Sequence, residues 1–302
     1  MVPSALEPHL QDLISRQAEA QGILSRQLFF VASCSKSGST WLQHILNGHA
    51  QIRCHGEAFF PTYLKPLLES AALQYNKLNK IEKYSNSASY KSALTNADIS
   101  HLYRSAVAAI VSGWEISDEI VAIGEKTPEN ATSVQELLSD FPGSKIIHLI
   151  RDGRDVCVSG WFHNVREKGD EFLRICPSLK EYIPLMAGEK WKQYIQAVRD
   201  VQRQSPAAFY EVRYEDLHAR PREVIAECLE FIGVESNSSY LDACISAGSF
   251  SKLSGGRDIG VEDQNSFYRK GLVGDWREHF DDEAIRAFDA AAGDLARELG
   301  YL

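Results

Sequence analysis

Residues 36–41, with the sequence KSGSTW, have the types and the order that bind an oxyanion. They follow an apolar run that predicts a buried strand, and they lead into a predicted helix. Backbone amides near Ser37, Gly38 and Ser39 can converge on an anion, which the dipole of the helix also attracts. Lys36 adds a full positive charge, and Gly38 lets the backbone approach a ligand closely. The segment therefore predicts a site for a phosphate or sulfate group.

The order of these residues differs from that of a standard nucleotide-binding loop. The P-loop of nucleoside triphosphatases needs a glycine, four residues and then Gly-Lys-Ser/Thr. Here the lysine precedes the glycine, and residues 32–35 contain no glycine. The GxGxxG fingerprint of dinucleotide-binding folds is also missing after this strand. An ordinary polar turn without a ligand stays an alternative at this point, because short Ser/Gly turns are common.

Composition limits the classes of protein to which the chain can belong. Its 302 residues are 44% hydrophobic and 24% charged, which suits a globular protein of one large domain or at most two. The net charge of −9 argues against a general role in binding nucleic acid or an anionic membrane. The six cysteines lack a CxxC pair, which favours buried thiols over disulfides or a zinc site. With no signal-like N-terminus and no apolar run of about 18 residues, we expect no membrane span and a cytoplasmic protein.

Short apolar runs alternate with helical patterns along the chain. After the first strand, further strands are predicted at residues 119–124, 144–149 and 207–212, and segments with a spacing near 3.6 residues separate them. This alternation predicts an α/β fold in which helices cover a mainly parallel sheet. Ligands of such sheets lie outside the carboxyl ends of the strands. The polar residues after each strand should therefore meet in one crevice.

Two further segments carry candidate ligands for a second phosphate. Arg151 ends a predicted strand, and Ser159 follows it in the next helix, so the guanidinium and the hydroxyl can bind one phosphate together. The alternative is that Arg151 pairs with a neighbouring aspartate. Arg269 and Lys270 precede Gly271 in a loop near the C-terminus, where they can close on a phosphate or form a solvated basic turn.

Taken in order, KSGSTW, IRDGRDVCVS (150–159) and RKGLVGDW (269–276) resemble the motifs of sulfotransferases that use 3′-phosphoadenosine 5′-phosphosulfate (PAPS). The resemblance covers residues 28–280 and is nearest to the cytosolic branch. It implies a single domain over residues 1–302 with a three-layer α/β fold like that of P-loop NTPases. It also implies that PAPS is the sulfuryl donor, that 3′-phosphoadenosine 5′-phosphate (PAP) is a product, and that no metal is required. A helical lead-in at 1–27 and inserts at 62–97 and 164–188, which would shape the acceptor pocket or a lid, complete the expected organisation.

The resemblance also assigns roles to individual residues. The 5′-phosphosulfate is expected on the first motif, adenine against three aromatic residues, and the 3′-phosphate on the second and third motifs. In that order the expected ligands are Lys36, Ser37, Gly38, Ser39 and Thr40; Trp41, Tyr214 and Phe250; and Arg151, Ser159, Arg269, Lys270 and Gly271.

The chain departs from the cytosolic branch at the catalytic base. Those enzymes usually carry a histidine after Lys-Thr, whereas this chain has Lys126, Thr127 and Pro128. Proline cannot accept a proton, so we expect the base to be Glu57, which lies where tyrosylprotein and glycan sulfotransferases place a glutamate. His55 is the second candidate, and Lys126 is expected to contact the transferring group or the acceptor.

Other side chains near these motifs receive lesser roles. Glu125 is expected to orient Lys126, although it is a further candidate base. His148 and His163 fall inside a predicted strand and a predicted helix, so we expect both to be structural.

Together these features predict a PAPS-dependent sulfotransferase of the EC 2.8.2 type that acts by in-line transfer. The alternatives are a P-loop-type nucleotide kinase or NTPase, which would want a Walker-type glycine, and a catalytically silent nucleotide-binding interaction protein. A small-molecule acceptor with a hydroxyl or amine is favoured, and glycans, lipids and peptide tyrosines stay open. No nucleic-acid partner is expected, and a homodimer is one option for the assembly.

Overall fold

Five parallel strands form the centre of the molecule, in the order β2-β3-β1-β4-β5. The computed structural model describes residues 7–81 and 93–302. The strands are β1 (Gln27–Ser33), β2 (Ile52–Gly56), β3 (Ala122–Lys126), β4 (Lys145–Ile150) and β5 (Phe209–Arg213). The prediction of a mainly parallel sheet is confirmed.

Helices cover both faces of this sheet. They are α1 (Glu7–Leu24), α2 (Ser39–Leu46), α3 (Lys65–Ile81), α4 (Asn96–Ser112), α5 (Val134–Asp140), α6 (Gly153–Lys168), α7 (Asp170–Ile175), α8 (Leu179–Ile183), α9 (Gln193–Gln202), α10 (Tyr214–Ala219), α11 (Pro221–Ile232), α12 (Ser238–Ala247), α13 (Phe250–Leu253) and α14 (Asp282–Glu298). Short π-helical turns at Phe60–Leu64 and Pro184–Lys192 and 3₁₀ turns at Pro128–Thr132, Pro206–Ala208 and Asp275–Glu278 connect them. In the described parts of the chain, no helix is both long and apolar enough to cross a bilayer.

Alternation along β1 divides the apolar core between the two faces of the sheet. Phe29 packs on one face with α2, α11 and α12, whereas Phe30 packs on the other with α1, α4 and α5. Successive strand residues point to opposite faces, so both sides of a central strand can be apolar. A third cluster lies beyond Ile150 at the end of β4, where α6, α8 and α14 surround Trp191. The carboxyl end of β4 therefore packs against an apolar cluster of buried side chains.

The structure corrects several predicted boundaries. β2 was not predicted, because Ile52 and Cys54 are its only buried residues and it lies at the sheet edge. β3 begins later than expected and extends through Lys126, whose burial the sequence pattern did not indicate. One of the segments with a spacing near 3.6 residues, 189–202, predicts a single helix but is divided, since its first part belongs to a π-helical turn.

The predicted lead-in and inserts are mostly helical. α1 provides the lead-in, although residues 1–6 lie outside the described residues. The first insert contains α3 and the start of α4, and its residues 82–92 are likewise outside them. The second runs from the last turn of α6 through α7 and α8. The division into one domain stays a prediction.

The packing of Gly124 in β3 generates a stability prediction. A Cβ atom at this position would overlap the ring of Phe29 in the neighbouring strand, so Gly124→Ala should lower the free energy of unfolding by about 1–3 kcal/mol. Urea denaturation followed by circular dichroism measures the change. Gly22→Ala is the matched control, because nothing lies within 4 Å of that site in α1, and the substitution should stabilise the helix by up to about 1 kcal/mol. Equal urea midpoints for wild type and Gly124→Ala would contradict this prediction. They would mean that β1 and β3 accommodate the added Cβ atom without loss of stability.

Candidate active site

The loops after the strands surround one cavity of about 610 Å³. Lys36 follows β1, Glu57 follows β2, and Pro128 follows β3. Arg151 and Tyr214 follow β4 and β5 and line the same space. The expected meeting of polar residues at the carboxyl edge of the sheet is therefore observed.

Most of the predicted ligands line this cavity. They are Lys36, Gly38, Ser39, Thr40, Trp41, Glu57, Arg151, Ser159, Tyr214, Phe250, Arg269, Lys270 and Gly271. Ser37 and Lys126 are buried behind the surface, being 1% and 2% exposed. His55 lies outside the lining.

The anion-binding loop, defined as residues 34–40, has an unusual backbone. Lys36 has φ 70° and Gly38 has φ 97°, both in the left-handed region. A Cβ atom at Gly38 would also meet the Tyr214 ring at 2.6 Å, so both conformation and packing require glycine. α2 begins at Ser39 without a side-chain cap, which leaves the first amides of the helix free to bind an anion.

Lys36 is positively charged but strongly desolvated. Burial is the main cause that lowers the pKa of its ammonium to about 8, and Arg166 adds to the effect. Glu57 opposes the shift. The ammonium lies 4.8 Å from the centre of the Phe267 ring. A bound anion would therefore meet a poorly hydrated cation, which strengthens their attraction.

Arg151 connects the anion-binding loop to the C-terminal loop, defined as residues 254–274. Its Nη1 donates to the Lys36 carbonyl at 3.3 Å, and its Nη2 donates to the Leu272 carbonyl at 3.0 Å. The guanidinium lies over the Tyr214 ring at 4.2 Å, and Asp155 is 3.6 Å away. The ion pair considered as an alternative thus exists, and the same arginine still lines the cavity.

Asp155 fixes the end of the C-terminal loop. Its carboxylate accepts hydrogen bonds from the amides of Gly274 at 2.8 Å and Trp276 at 2.9 Å. Asp155 is 1% exposed, so these two donors satisfy a buried charge that Arg151 also faces. Helix α6 therefore carries both Ser159 and the anchor of the opposite wall.

Arg269 and Lys270 reach the cavity with carboxylate partners of their own. Lys270 Nζ is 2.8 Å from Asp275 and 2.6 Å from Glu278, and Arg269 pairs with Asp275 and Glu262. Hydrogen bonds to these two carboxylates raise the pKa of Lys270. The positive charges of Arg269 and Lys270 are therefore balanced by carboxylates of the protein. A phosphate bound there would compete with Asp275 for these cations.

Trp41 and Phe250 contribute aromatic surfaces to the cavity. Trp41 Nε1 donates to the Gly248 carbonyl at 2.7 Å, and the indole packs against Tyr214 and His218 with ring centres 5.3 Å and 4.5 Å away. Phe250 packs so closely on Gly271 that a Cβ atom there would lie 2.6 Å from its ring. These surfaces are flat and apolar, as a nucleobase requires.

Glu57 and Lys126 form a pair beside the anion-binding loop. Lys126 Nζ donates to Glu57 Oε1 at 2.8 Å and to Thr40 Oγ1 at 3.3 Å. The Glu57 side chain is 52% exposed, whereas that of Lys126 is 3% exposed. The carboxylate therefore has one oxygen oriented by a buried cation, while the group as a whole stays accessible to a ligand.

Glu125 has a scaffolding position. It accepts hydrogen bonds from the Ala58 amide at 3.0 Å, from Asn130 Nδ2 at 2.7 Å and from the Thr127 hydroxyl. Burial raises the pKa of its carboxyl, and these bonds oppose the shift. Its hydrogen bonds go to the segments that follow β2 and β3, so the role of Glu125 in orienting Lys126 stays a prediction.

The histidines separate into different environments. The His55 ring stacks on Trp114 with centres 4.6 Å apart, away from the cavity lining, so its candidacy as base finds no support. His148 is fully buried in β4, and burial lowers its pKa to about 3, as a structural residue allows. His163 does line the cavity, which corrects its purely structural assignment. Its spacing of four residues from Ser159 was the available signal.

The parallel sheet and the anion-binding loop define an α/β protein with an anion site beside a carboxylate–lysine pair. The sequence matches the family model described as the sulfotransferase family over residues 29–238, which is more than half of the chain. The chain therefore belongs to the sulfotransferase family, whose PAPS-dependent members are transferases of the EC 2.8.2 type.

Individual relatives agree with this family. A putative protein-tyrosine sulfotransferase of Caenorhabditis briggsae is 25% identical over 91% of this chain and 89% of the relative. Cytosolic sulfotransferase 9 of Arabidopsis thaliana is 25% identical over 86% of this chain and 75% of the relative. An uncharacterised protein of Aquifex aeolicus is 29% identical over 76% of this chain, which spans only 28% of that protein.

Solved structures support the fold. Mouse sulfotransferase SULT7A1, crystallised with PAP, superposes with a TM-score of 0.55 at 17% identity, covering 93% of this chain and 90% of the mouse chain. The sulfotransferase domain of the curacin biosynthetic pathway gives a TM-score of 0.52 at 16% identity, covering 92% and 98%. The predicted sulfotransferase fold is confirmed.

The lowered pKa of Lys36 predicts how binding of PAP depends on pH. As pH rises through about 8 the free protein loses the Lys36 proton, so the association constant should fall by up to about tenfold per pH unit above that value. Isothermal titration calorimetry between about pH 7 and pH 9.5 measures it, above the second phosphate pKa near 6. Lys36→Arg keeps its charge throughout and should give a flat profile. The same slope in both proteins would contradict the assignment to Lys36.

Proposed function

We propose that this protein transfers the sulfuryl group of PAPS to a hydroxyl or amine of a small-molecule acceptor. The observation that carries the proposal is the joining of three features in one cavity: the anion-binding loop, Arg151 with Ser159, and the Glu57–Lys126 pair. A nucleotide with phosphates at two positions needs two separate anion sites, and a transferase needs a base near one of them. The family membership agrees with this chemistry.

The residues around the cavity fit PAPS. Buried polar atoms without a hydrogen-bond partner, Ser37 Oγ and Arg151 Nε, lie in the two segments expected to bind its phosphates. The free amides at the start of α2 supply further donors. When bound, PAPS supplies an activated sulfuryl group with PAP as the leaving group. The residues that would hold it are Lys36, Ser37, Gly38, Ser39, Thr40, Trp41, Arg151, Ser159, Tyr214, Phe250, Arg269, Lys270 and Gly271.

Glu57 is the proposed general base. Lys126 holds one of its oxygens, and the half-exposed carboxylate can accept the proton of an acceptor hydroxyl or amine. PAPS would supply the sulfur to which the acceptor oxygen or nitrogen bonds in line as the bond from sulfur to the PAP oxygen breaks. Lys36, Lys126 and the loop amides would hold the phosphosulfate and stabilise the negative charge that develops on it.

The acceptor side of the cavity combines aromatic and polar groups. Phe59, Tyr182 and Phe267 line it together with Glu129 and Lys190. Flat apolar surfaces beside a few polar groups favour a compact acceptor with an apolar face over an extended polymer. A cytoplasmic location and a homodimeric assembly stay predictions of the sequence.

Nucleotide binding separates the proposal from its alternatives. PAP at 100-fold excess over its Kd should stabilise the fold by about 2.7 kcal/mol and raise the melting temperature by about 5 °C. ATP with Mg²⁺ should give a smaller shift, and a thermal-shift assay compares the two. A larger shift with ATP and Mg²⁺ would favour a kinase. Stabilisation by PAP without sulfate transfer to any compound in an acceptor library, read by mass spectrometry, would favour a silent binding protein.

Glu57→Gln tests the base. The amide keeps the shape of the carboxylate and cannot accept the proton, so the transfer rate to an acceptor found in that library should fall by about 10²-fold or more. The Kd for PAP should be unchanged. Glu119→Gln, at an exposed position before β3, is the control and should retain the wild-type rate. Near-normal turnover by the Glu57→Gln protein would show that another residue is the base.

A further inference from the structure

Helix α6 presents a polar face to the cavity beyond Ser159. His163 lies one turn later on the same face, and both side chains line the cavity. The adjacent Asn164 is already engaged, since its Nδ2 donates to the Gly160 carbonyl at 2.9 Å and to the Tyr182 hydroxyl at 3.2 Å. The Nδ2 group of Asn164 is therefore used within the fold, whereas His163 still has a ring nitrogen to offer a ligand.

Arg166 determines which nitrogen of His163 carries the proton. Arg166 Nη2 lies 2.9 Å from His163 Nδ1, and a guanidinium can only donate hydrogen bonds. Nδ1 is therefore the acceptor, and in the neutral ring the hydrogen is on Nε2. Arg166 itself is held by the Ser266 carbonyl at 2.7 Å and by Glu167 at 2.8 Å. The imidazole is thus fixed with an N–H group at the end opposite Arg166.

The surroundings of His163 keep it uncharged. Burial is the main cause that lowers its pKa to about 4, and Lys36 and Arg166 lower it further. Lys168 acts in the same direction, whereas Glu167 opposes it. A neutral donor suits a cavity that Lys36 also lines, because it adds a hydrogen bond without adding a second repelling cation.

We infer that His163 Nε2–H donates a hydrogen bond to a sulfuryl oxygen of bound PAPS, with Arg166 as the residue that positions the ring. The inference rests on the proposed function. Lys36 belongs to the loop expected to hold the phosphosulfate, and both Lys36 and His163 line the cavity. Arg166, which bonds to His163, also bonds to the Ser266 carbonyl, one residue before Phe267, whose ring centre lies 4.8 Å from the Lys36 ammonium. The proton stays on Nε2 throughout, so His163 stabilises charge on the transferring group and takes no part in proton transfer. PAP, which lacks the sulfuryl group, does not use this bond.

The difference between the Kd values for PAPS and for PAP is therefore the quantity to measure. Isothermal titration calorimetry without an acceptor gives Kd for both nucleotides. His163→Phe keeps a ring and removes the donor, so it should weaken PAPS about tenfold and leave PAP unchanged. His163→Gln places an amide N–H at a similar reach and should restore most of the PAPS affinity. Lys168→Ala, on an exposed position of the same helix, should match wild type for both nucleotides.

Separate measurements test whether Arg166 positions the His163 ring. Arg166→Ala removes the donor to Nδ1, so it should weaken PAPS more than PAP and allow the Nδ1–H tautomer, which long-range ¹H–¹⁵N NMR of the ring detects. Wild-type protein with hydrogen on Nδ1 would overturn the inference.

The binding results separate this inference from the proposed function. If His163→Phe weakens both nucleotides equally, or neither, His163 does not contact the sulfuryl group. If wild-type protein binds neither PAPS nor PAP, the proposed function fails and the inference fails with it.

Discussion

The buried guanidinium of Arg151 is the interaction on which the rest of the site depends. It is 9% exposed and bonds to carbonyls of two loops that are distant in sequence, at Lys36 and Leu272. A charge in this environment must keep its partners, because leaving it unpaired costs several kcal/mol. The guanidinium therefore links the anion-binding loop to the C-terminal loop. Tyr214, under the guanidinium, also occupies the space that a side chain at position 38 would need.

Several cations gather at the cavity in a protein with a net charge of −9, and three of them are paired with carboxylates. Lys126 faces Glu57, Arg151 faces Asp155, and Lys270 faces Asp275. Lys36 forms no ion pair within 4 Å among the described residues, and burial is the main cause that lowers its pKa. An anionic ligand therefore gains most at Lys36, where no protein carboxylate has to be displaced. Elsewhere, binding has to compete with existing pairs, which favours a ligand whose shape matches several donors at once.

The sequence was a good guide to the central strands and to most of the residues that line the cavity, because both depend on local signals. Apolar runs of β1 and β4 are interior on both faces, and Gly38 marks a left-handed turn that few other residues adopt. β2 escaped prediction since an edge strand with two buried residues leaves almost no pattern. The separation of His55 from the cavity and the entry of His163 into it depend on which way a side chain points in the assembled fold. Only tertiary packing decides that direction.

The segment in which the cytosolic branch usually carries a histidine helps to hold the backbone around Glu57, the proposed base. Pro128 opens the 3₁₀ turn that carries Asn130, whose amide bonds to Glu125. Glu125 in turn accepts the Ala58 amide, and the Glu57 amide bonds to the Lys126 carbonyl at 2.7 Å. These bonds hold Glu57 in a left-handed conformation, φ 60°, that a non-glycine residue adopts only where its surroundings require it. The chain after β3 thus holds the backbone at Glu57, the residue proposed as base, in the loop that follows the unpredicted strand β2.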